Sequence, residues 1–234
     1  MYKKYKKIRP KISLYCKEFV KPITSLGSQF FIIQIAIIII FTTDKILITQ
    51  IFGPEYVTQY DVVFKLFSII TIIHSILIAP LWPAYADSYH KGDFEWIKSN
   101  LKRQIKLFIL FIICTFILFI NANLVFSIWI GKEIVTDECL ILFMVVFVLV
   151  STWNNIFGCI LSGMDKVRFS AFSAIIGAVV NIPLSIYFSS EIGLSGIVLA
   201  TVVSISFSAF FHPIRVFYFL FCKRKSKKLT KLFS

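Results

Sequence analysis

The chain has 234 residues, of which 58% are hydrophobic, and its net charge at pH 7 is +13. A soluble domain with this charge would be expected to bind nucleic acid. A mean hydropathy of +0.83 indicates instead a membrane protein whose basic residues face anionic lipid, so membrane lipid is an expected partner and nucleic acid is not.

Six apolar stretches are each long enough to cross a bilayer, because a spanning helix needs about 20 mainly apolar residues. We therefore predict an all-α, polytopic membrane protein. Its parts are a basic segment at 1–26, a six-helix membrane unit at 27–221 and a basic tail at 222–234. The predicted spans are 27–50, 62–85, 106–129, 139–161, 168–188 and 194–221.

The basic residues are concentrated on one side of these spans. Most of the 25 Lys and Arg residues lie in the two tails and in the second and fourth connections, whereas the odd-numbered connections contain only Lys132. Short loops rich in Lys and Arg stay on the cytoplasmic side of a membrane. The sequence therefore predicts a multi-pass membrane protein with both termini in the cytoplasm.

Ionisable residues within spans are candidates for function, because a charge in hydrocarbon is costly without a partner or a wet cavity. Asp44 and Lys45 lie toward the outer end of the first predicted span. Asp61 and Lys65 lie where the second span begins, and their i, i+4 spacing allows them to pair. These four residues predict a polar, partly cationic cavity that opens outward. The alternative is that Lys45, Asp61 and Lys65 reach the nearby outer interface and are structural.

Three prolines are candidates for hinges. Pro80 and Pro83 lie near the inner end of the second predicted span, and Pro183 lies within the fifth. Each removes a backbone donor and favours a kink. The alternative is that they only adjust the packing of the helices.

The connection 87–105 contains a short amphipathic pattern. Asp93 can cap a helix in which Phe94, Ile97 and Leu101 share one face. The pattern predicts a helix lying on the inner membrane surface. A solvated loop helix is the alternative.

The remaining candidates lie in the later spans. Asn154 and Asn155 are adjacent and therefore about 100° apart on a helix, so we expect at most one of them to face a lumen. Packing against a neighbouring helix is the alternative role. Arg215 lies near the inner end of the sixth span and either faces the lumen or extends to the interface. The sequence contains no catalytic or cofactor-binding motif, so we predict neither an enzyme nor a bound cofactor.

The order of several motifs resembles that of Wzx-type O-antigen and polysaccharide flippases. The likeness covers roughly 24–221, and its most specific part is the run PLWPAYAD followed by Gly92 and Asp93. The other motifs are found at 44–48, 52–57, 60–67, 96–97, 155–163 and 193–201.

This resemblance implies a member of the multidrug/oligosaccharidyl-lipid/polysaccharide exporter superfamily, whose proteins usually have two six-helix lobes around a central cavity. It also implies a location in a bacterial inner membrane. It implies movement of an undecaprenyl-pyrophosphate-linked oligosaccharide between leaflets by alternating access. Lys45, Lys65 and Arg215 would then bind the pyrophosphate or anionic sugars. The chain resembles only the C-terminal lobe, so a second copy or another subunit would supply the other lobe.

Three other functions are compatible with the sequence. A drug or metabolite antiporter of the same superfamily would have a smaller and more acidic cavity. A membrane glycosyltransferase or polysaccharide polymerase would normally have a longer outer loop than the one near 128–139. A non-transporting scaffold or inactive remnant is the third possibility.

Overall fold

The computed structural model describes residues 17–130 and 137–222, and every regular element in those ranges is a helix. The prediction of an all-α protein is therefore confirmed. Most of the predicted basic tails, and Lys132, lie outside the described residues. The helices are α1 Lys17–Ile51, α2 Pro54–Ile78, α3 Leu81–Lys91, α4 Phe94–Ile120, α5 Ala122–Ile130, α6 Glu138–Gly163, α7 Val167–Ile192 and α8 Leu194–Phe217, which continues into a π-helical turn at Tyr218–Cys222.

Six of these segments are long and apolar enough to cross a membrane, as predicted. Large apolar side chains such as Ile76, Phe116 and Phe210 are exposed on the outer faces of the bundle. Exposed apolar surface on this scale is expected where lipid replaces water as the solvent. The six spans are Ile23–Ile51, Pro54–Ile78, Phe94–Ile120, Glu138–Gly163, Val167–Ile192 and Leu194–Phe221.

The second span lies earlier in the chain than predicted, at Pro54–Ile78 rather than 62–85. Pro80 and Pro83 consequently lie at a helix boundary and not within a span. Pro80 caps α3 and Pro83 lies in its first turn, where a missing N–H leaves no acceptor unsatisfied. Only Pro183 lies inside a described span at the predicted place, in α7. The hinge role of all three prolines stays a prediction.

The predicted surface helix after Gly92 is wrong as a separate element, because it forms the first turns of α4. The Asp93 carboxylate accepts a hydrogen bond from the Trp96 N–H at 3.0 Å, so the predicted cap is confirmed. Ile97 and Leu101 are buried against other helices and not in the membrane surface. The third span therefore begins about three turns earlier than the predicted 106–129.

The two ends of the bundle are named here after the glycines in their connections. Gly53 joins α1 to α2 at one end, called here the Gly53 end, and Gly92 joins α3 to α4 at the other, the Gly92 end. One apolar core, which includes Tyr60, Leu140 and Ile197, lies toward the Gly53 end. A second core, which includes Tyr85, Ile97 and Ile160, lies toward the Gly92 end. Helices α6 and α8 contribute to both cores and so hold the two halves of the bundle together.

Two glycines allow unusually close helix packing. A Cβ atom built on Gly196 would lie 2.1 Å from the Phe188 carbonyl oxygen in α7. A Cβ atom built on Gly163 would lie 2.5 Å from the Cβ of Tyr85 in α3. Small residues at such crossings let backbones approach closely, which is the principal means of helix association in lipid.

Candidate functional site

A cavity of about 820 Å³ lies among α1, α2, α6, α7 and α8, with the start of α3 at its edge. Polar side chains recur at helical spacing along α2, α6, α7 and α8, so each of these helices presents a polar stripe to a common space, and α1 contributes Gln34. The polar residues of its lining are Gln34, Ser68, Thr71, His74, Ser75, Ser151, Thr152, Asn154, Asn155, Ser162, Ser170, Ser173, Ser204, Ser208 and His212.

Aromatic rings mark the limits of the cavity. Phe41, Phe64 and Phe147 are the lining residues of their helices nearest the Gly53 end, and their ring centroids lie 5.5–6.0 Å apart. Toward the Gly92 end, the rings of Phe30 and Trp82 meet at 5.2 Å. The three phenylalanines form an apolar layer that separates the cavity from the Gly53 end.

Both asparagines predicted in the fourth span line the cavity. We expected only one to do so. Asn155 faces α2, where its amide donates a hydrogen bond to the Ser75 hydroxyl at 3.4 Å. The backbone of Asn154 lies beside His212 of α8. Two adjacent positions on α6 therefore lie beside two different helices.

Four of the predicted charged residues do not line the cavity, namely Lys45, Asp61, Lys65 and Arg215. Their side chains are exposed or half-buried. The Lys45 ammonium pairs with the Asp61 carboxylate at 2.9 Å, joining α1 to α2 beyond the phenylalanine layer. Asp61 thus pairs between helices and not with Lys65, whose side chain is exposed. The Arg215 guanidinium lies 4.5 Å from the centre of the Phe169 ring, near the Gly92 end.

Asp44 is fully buried, one turn beyond Phe41 toward the Gly53 end. The Thr201 hydroxyl donates to its carboxylate at 2.8 Å, and the Asn181 amide donates to the Thr201 oxygen at 3.1 Å. The network joins α1, α7 and α8, and its residue in α7, Asn181, lies two positions before Pro183. Sequence reasoning identified Asp44 but not Thr201, since nothing local indicates that two residues 157 positions apart will meet.

Thr201→Val should destabilise the protein, because it removes the hydroxyl that connects Asn181 to Asp44. Two buried polar groups would then lose a partner, at a cost of about 1–3 kcal/mol. We expect a lower melting temperature in detergent. Thr152→Val is the matched control, because the buried Thr152 hydroxyl bonds only to the Val148 carbonyl of its own helix. Equal effects of the two substitutions would contradict a structural role for the network.

Two histidines were missed as cavity residues. His74 is 1% exposed and its ring packs edge-on against Phe111 at 5.3 Å. His212 is 3% exposed and its Nε2 atom lies 3.5 Å from the Ser173 hydroxyl. Both line the cavity. Within the described ranges, no three His, Cys, Asp or Glu side chains lie close enough together to bind a metal ion.

Comparison with known proteins agrees with this architecture. The MatE family model matches residues 30–187, which is more than half of the chain. The chain belongs to the MatE family. The matched region includes the lining residues of α1, α2, α6 and α7. The resemblance that the sequence motifs indicated is thereby confirmed.

A relative adds to this family assignment. The MatE-family chain is 25% identical over 187 residues to a protein of Salmonella typhimurium strain LT2 named "Putative O-antigen transporter". The match covers 79% of this chain but 43% of the Salmonella protein, so the chain spans less than half the length of that relative. No solved structure matches the chain.

Proposed function

We propose that this MatE-family lobe moves a lipid-linked oligosaccharide across a bacterial inner membrane for O-antigen or capsular polysaccharide synthesis. The cavity is the observation that carries the proposal. Its volume of about 820 Å³ is that of a large ligand site, and its wall offers hydroxyl, amide and imidazole groups to a sugar. The name of the Salmonella relative supports the same substrate class.

A second lobe completes the transporter in this proposal. Transport by alternating access requires two units that rock against each other around a fixed site. The described residues contain six spans, and the chain matches 43% of its Salmonella relative. The partner is either a second copy of this chain or a separate lobe.

We place the Gly92 end in the cytoplasm. Lys91, Lys98, Lys102, Arg103 and Lys166 are near that end, and positive charge favours the cytoplasmic side. The cavity lining extends from the phenylalanine layer to Phe30 and Trp82 toward the Gly92 end. In this orientation the phenylalanine layer lies on the outer side of the cavity.

Single cysteines test this orientation. In a background without the five native cysteines, Thr58→Cys should react with a membrane-impermeant maleimide added to intact cells. Ser99→Cys should react only after the membrane is permeabilised. Both positions are exposed, and they lie near opposite ends of the bundle, so they form a matched pair. The reverse pattern would contradict the orientation.

A drug or metabolite antiporter is the second candidate. The family match alone fits it, and oxygen lone pairs in the cavity wall could accept hydrogen bonds from an organic cation. It predicts that the chain protects cells against cationic dyes, which the flippase proposal does not.

Export in living cells tests the main proposal. The chain is produced in cells that lack their own O-antigen flippase, either alone or together with the half of the Salmonella transporter that it does not match. Surface O-antigen should return in at least one of these strains. Dye resistance without surface O-antigen would favour the antiporter. The absence of both phenotypes would contradict a transport function.

A further inference from the structure

The cavity wall has no formal charge. Among the described residues that line it, none is Asp, Glu, Lys or Arg. The buried candidate Asp44 lies beyond the phenylalanine layer, and its carboxylate accepts a hydrogen bond from the Thr201 hydroxyl. A lumen built to hold pyrophosphate or acidic sugars would need cations in its wall, because a buried anion without a partner is strongly disfavoured.

The hydroxyl groups of the wall are mainly hydrogen-bond acceptors. Each of six hydroxyls donates its single hydrogen to a backbone carbonyl of its own helix, at distances of 2.7–3.2 Å. A hydroxyl that has donated its hydrogen can still accept through its lone pairs. The six residues are Ser68, Thr71, Thr152, Ser173, Ser204 and Ser208.

This arrangement distinguishes between two kinds of sugar. Phosphate and ionised carboxylate groups only accept hydrogen bonds, so they would oppose lone pairs to lone pairs. A sugar hydroxyl can donate to these oxygens and accept from the amides of Gln34 and Asn155, which also line the cavity. Uncharged, hydroxyl-rich groups therefore match the wall both as hydrogen-bond donors and as acceptors.

We propose that this cavity selects uncharged sugar residues over acidic ones and that the pyrophosphate of the carrier lipid is held elsewhere. The inference rests on the proposed function, because it specifies which lipid-linked oligosaccharides the lobe transports. It replaces the cationic lumen expected from Lys45, Lys65 and Arg215.

Binding of radiolabelled ligands to the chain in nanodiscs of uncharged lipid tests the inference. Three probes share one short polyprenyl-pyrophosphate anchor. The first has a trisaccharide of neutral hexoses, the second has the same trisaccharide with one uronic acid, and the third has no sugar. The neutral trisaccharide should bind at least about tenfold more tightly than either of the others, as expected for one net hydrogen bond.

A charge placed in the wall should remove this preference. Ser75→Lys adds a cation at an exposed lining position, so it should strengthen binding of the uronic acid probe by at least about tenfold, which corresponds to one charge-assisted hydrogen bond. Ser28→Lys is the matched control, because Ser28 is exposed on α1 outside the lining. It should leave the order of affinities unchanged.

The other outcomes separate the inference from the proposed function. Equal or tighter binding of the uronic acid probe to the unmodified chain would overturn the inference and leave the flippase proposal standing. Equal binding of the sugar-free anchor would also overturn it, since the wall would then not contact sugar. Binding of none of the three probes would overturn both proposals. The comparison on the unmodified chain decides these outcomes even if a variant fails to fold.

Discussion

Gly158→Trp should abolish export of oligosaccharide, whereas Gly158→Ala should leave export nearly unchanged. Gly158 lines the cavity from α6, and a Cβ atom added to it would have only the His212 Nδ1 atom within 4 Å, at 3.9 Å. A methyl group therefore fits at ordinary contact distance, but an indole must project into the space that the substrate occupies. Export should fall by at least about tenfold, since each 1.4 kcal/mol of lost binding is tenfold.

The measurement is the amount of surface O-antigen in flippase-deficient cells, normalised to the amount of protein in the membrane. The alanine variant controls for loss of glycine flexibility in α6, and the tryptophan variant should accumulate to a similar level because it points into open space. Full export by the tryptophan variant would mean that the substrate does not pass through this cavity.

Gly196→Ala should be the most damaging small substitution for folding. Its Cβ atom would lie 2.1 Å from the oxygen and 2.3 Å from the carbon of the Phe188 carbonyl. These are backbone atoms, so relief requires α8 to move away from α7. Overpacking of this kind costs about 1–3 kcal/mol. For a chain of this size we expect the melting temperature to fall by about 5–10 °C, with a lower yield of membrane protein.

Gly27→Ala is the matched control for that experiment. Gly27 lies in α1, its Cβ would meet nothing within 4 Å, and alanine favours a helix more than glycine does. Its melting temperature should be unchanged or slightly higher. A Gly196→Ala variant as stable as the control would show that α7 and α8 do not pack as closely as described.

The sequence was sufficient to predict the number of spans, because that property depends on local hydropathy. Span boundaries were predicted less well where one helix runs through a change of composition. The run 94–120 contains a basic, amphipathic start followed by an apolar helix, and composition alone divides it near residue 106. The absence of a glycine or proline within that run is the local signal that the helix continues.

The candidate site was harder to predict, because its residues meet through packing between distant helices. Asp44 was recognisable as a costly buried carboxylate, but its partner Thr201 looks like any threonine in a span. Lys45 was assigned to the cavity although it pairs with Asp61 outside it. Sequence reasoning gave most weight to charged residues, whereas serine, threonine and histidine form most of the polar wall. Isolated hydroxyls in a span are common, and only their convergence in space marks a site.

Reconstituted vesicles provide the most direct test of transport through this cavity. A fluorescent neutral trisaccharide on a polyprenyl-pyrophosphate lipid is distributed over both leaflets, and a membrane-impermeant reductant is then added outside. Vesicles that contain the chain, alone or with the half of the Salmonella transporter that it does not match, should lose nearly all fluorescence. The reason is that labelled lipid from the inner leaflet becomes accessible to the reductant. Vesicles with Gly158→Trp should retain the protected inner-leaflet fraction. Retention of the inner-leaflet fluorescence by vesicles with the unmodified chain, both alone and with the unmatched Salmonella half, would contradict transport through this cavity.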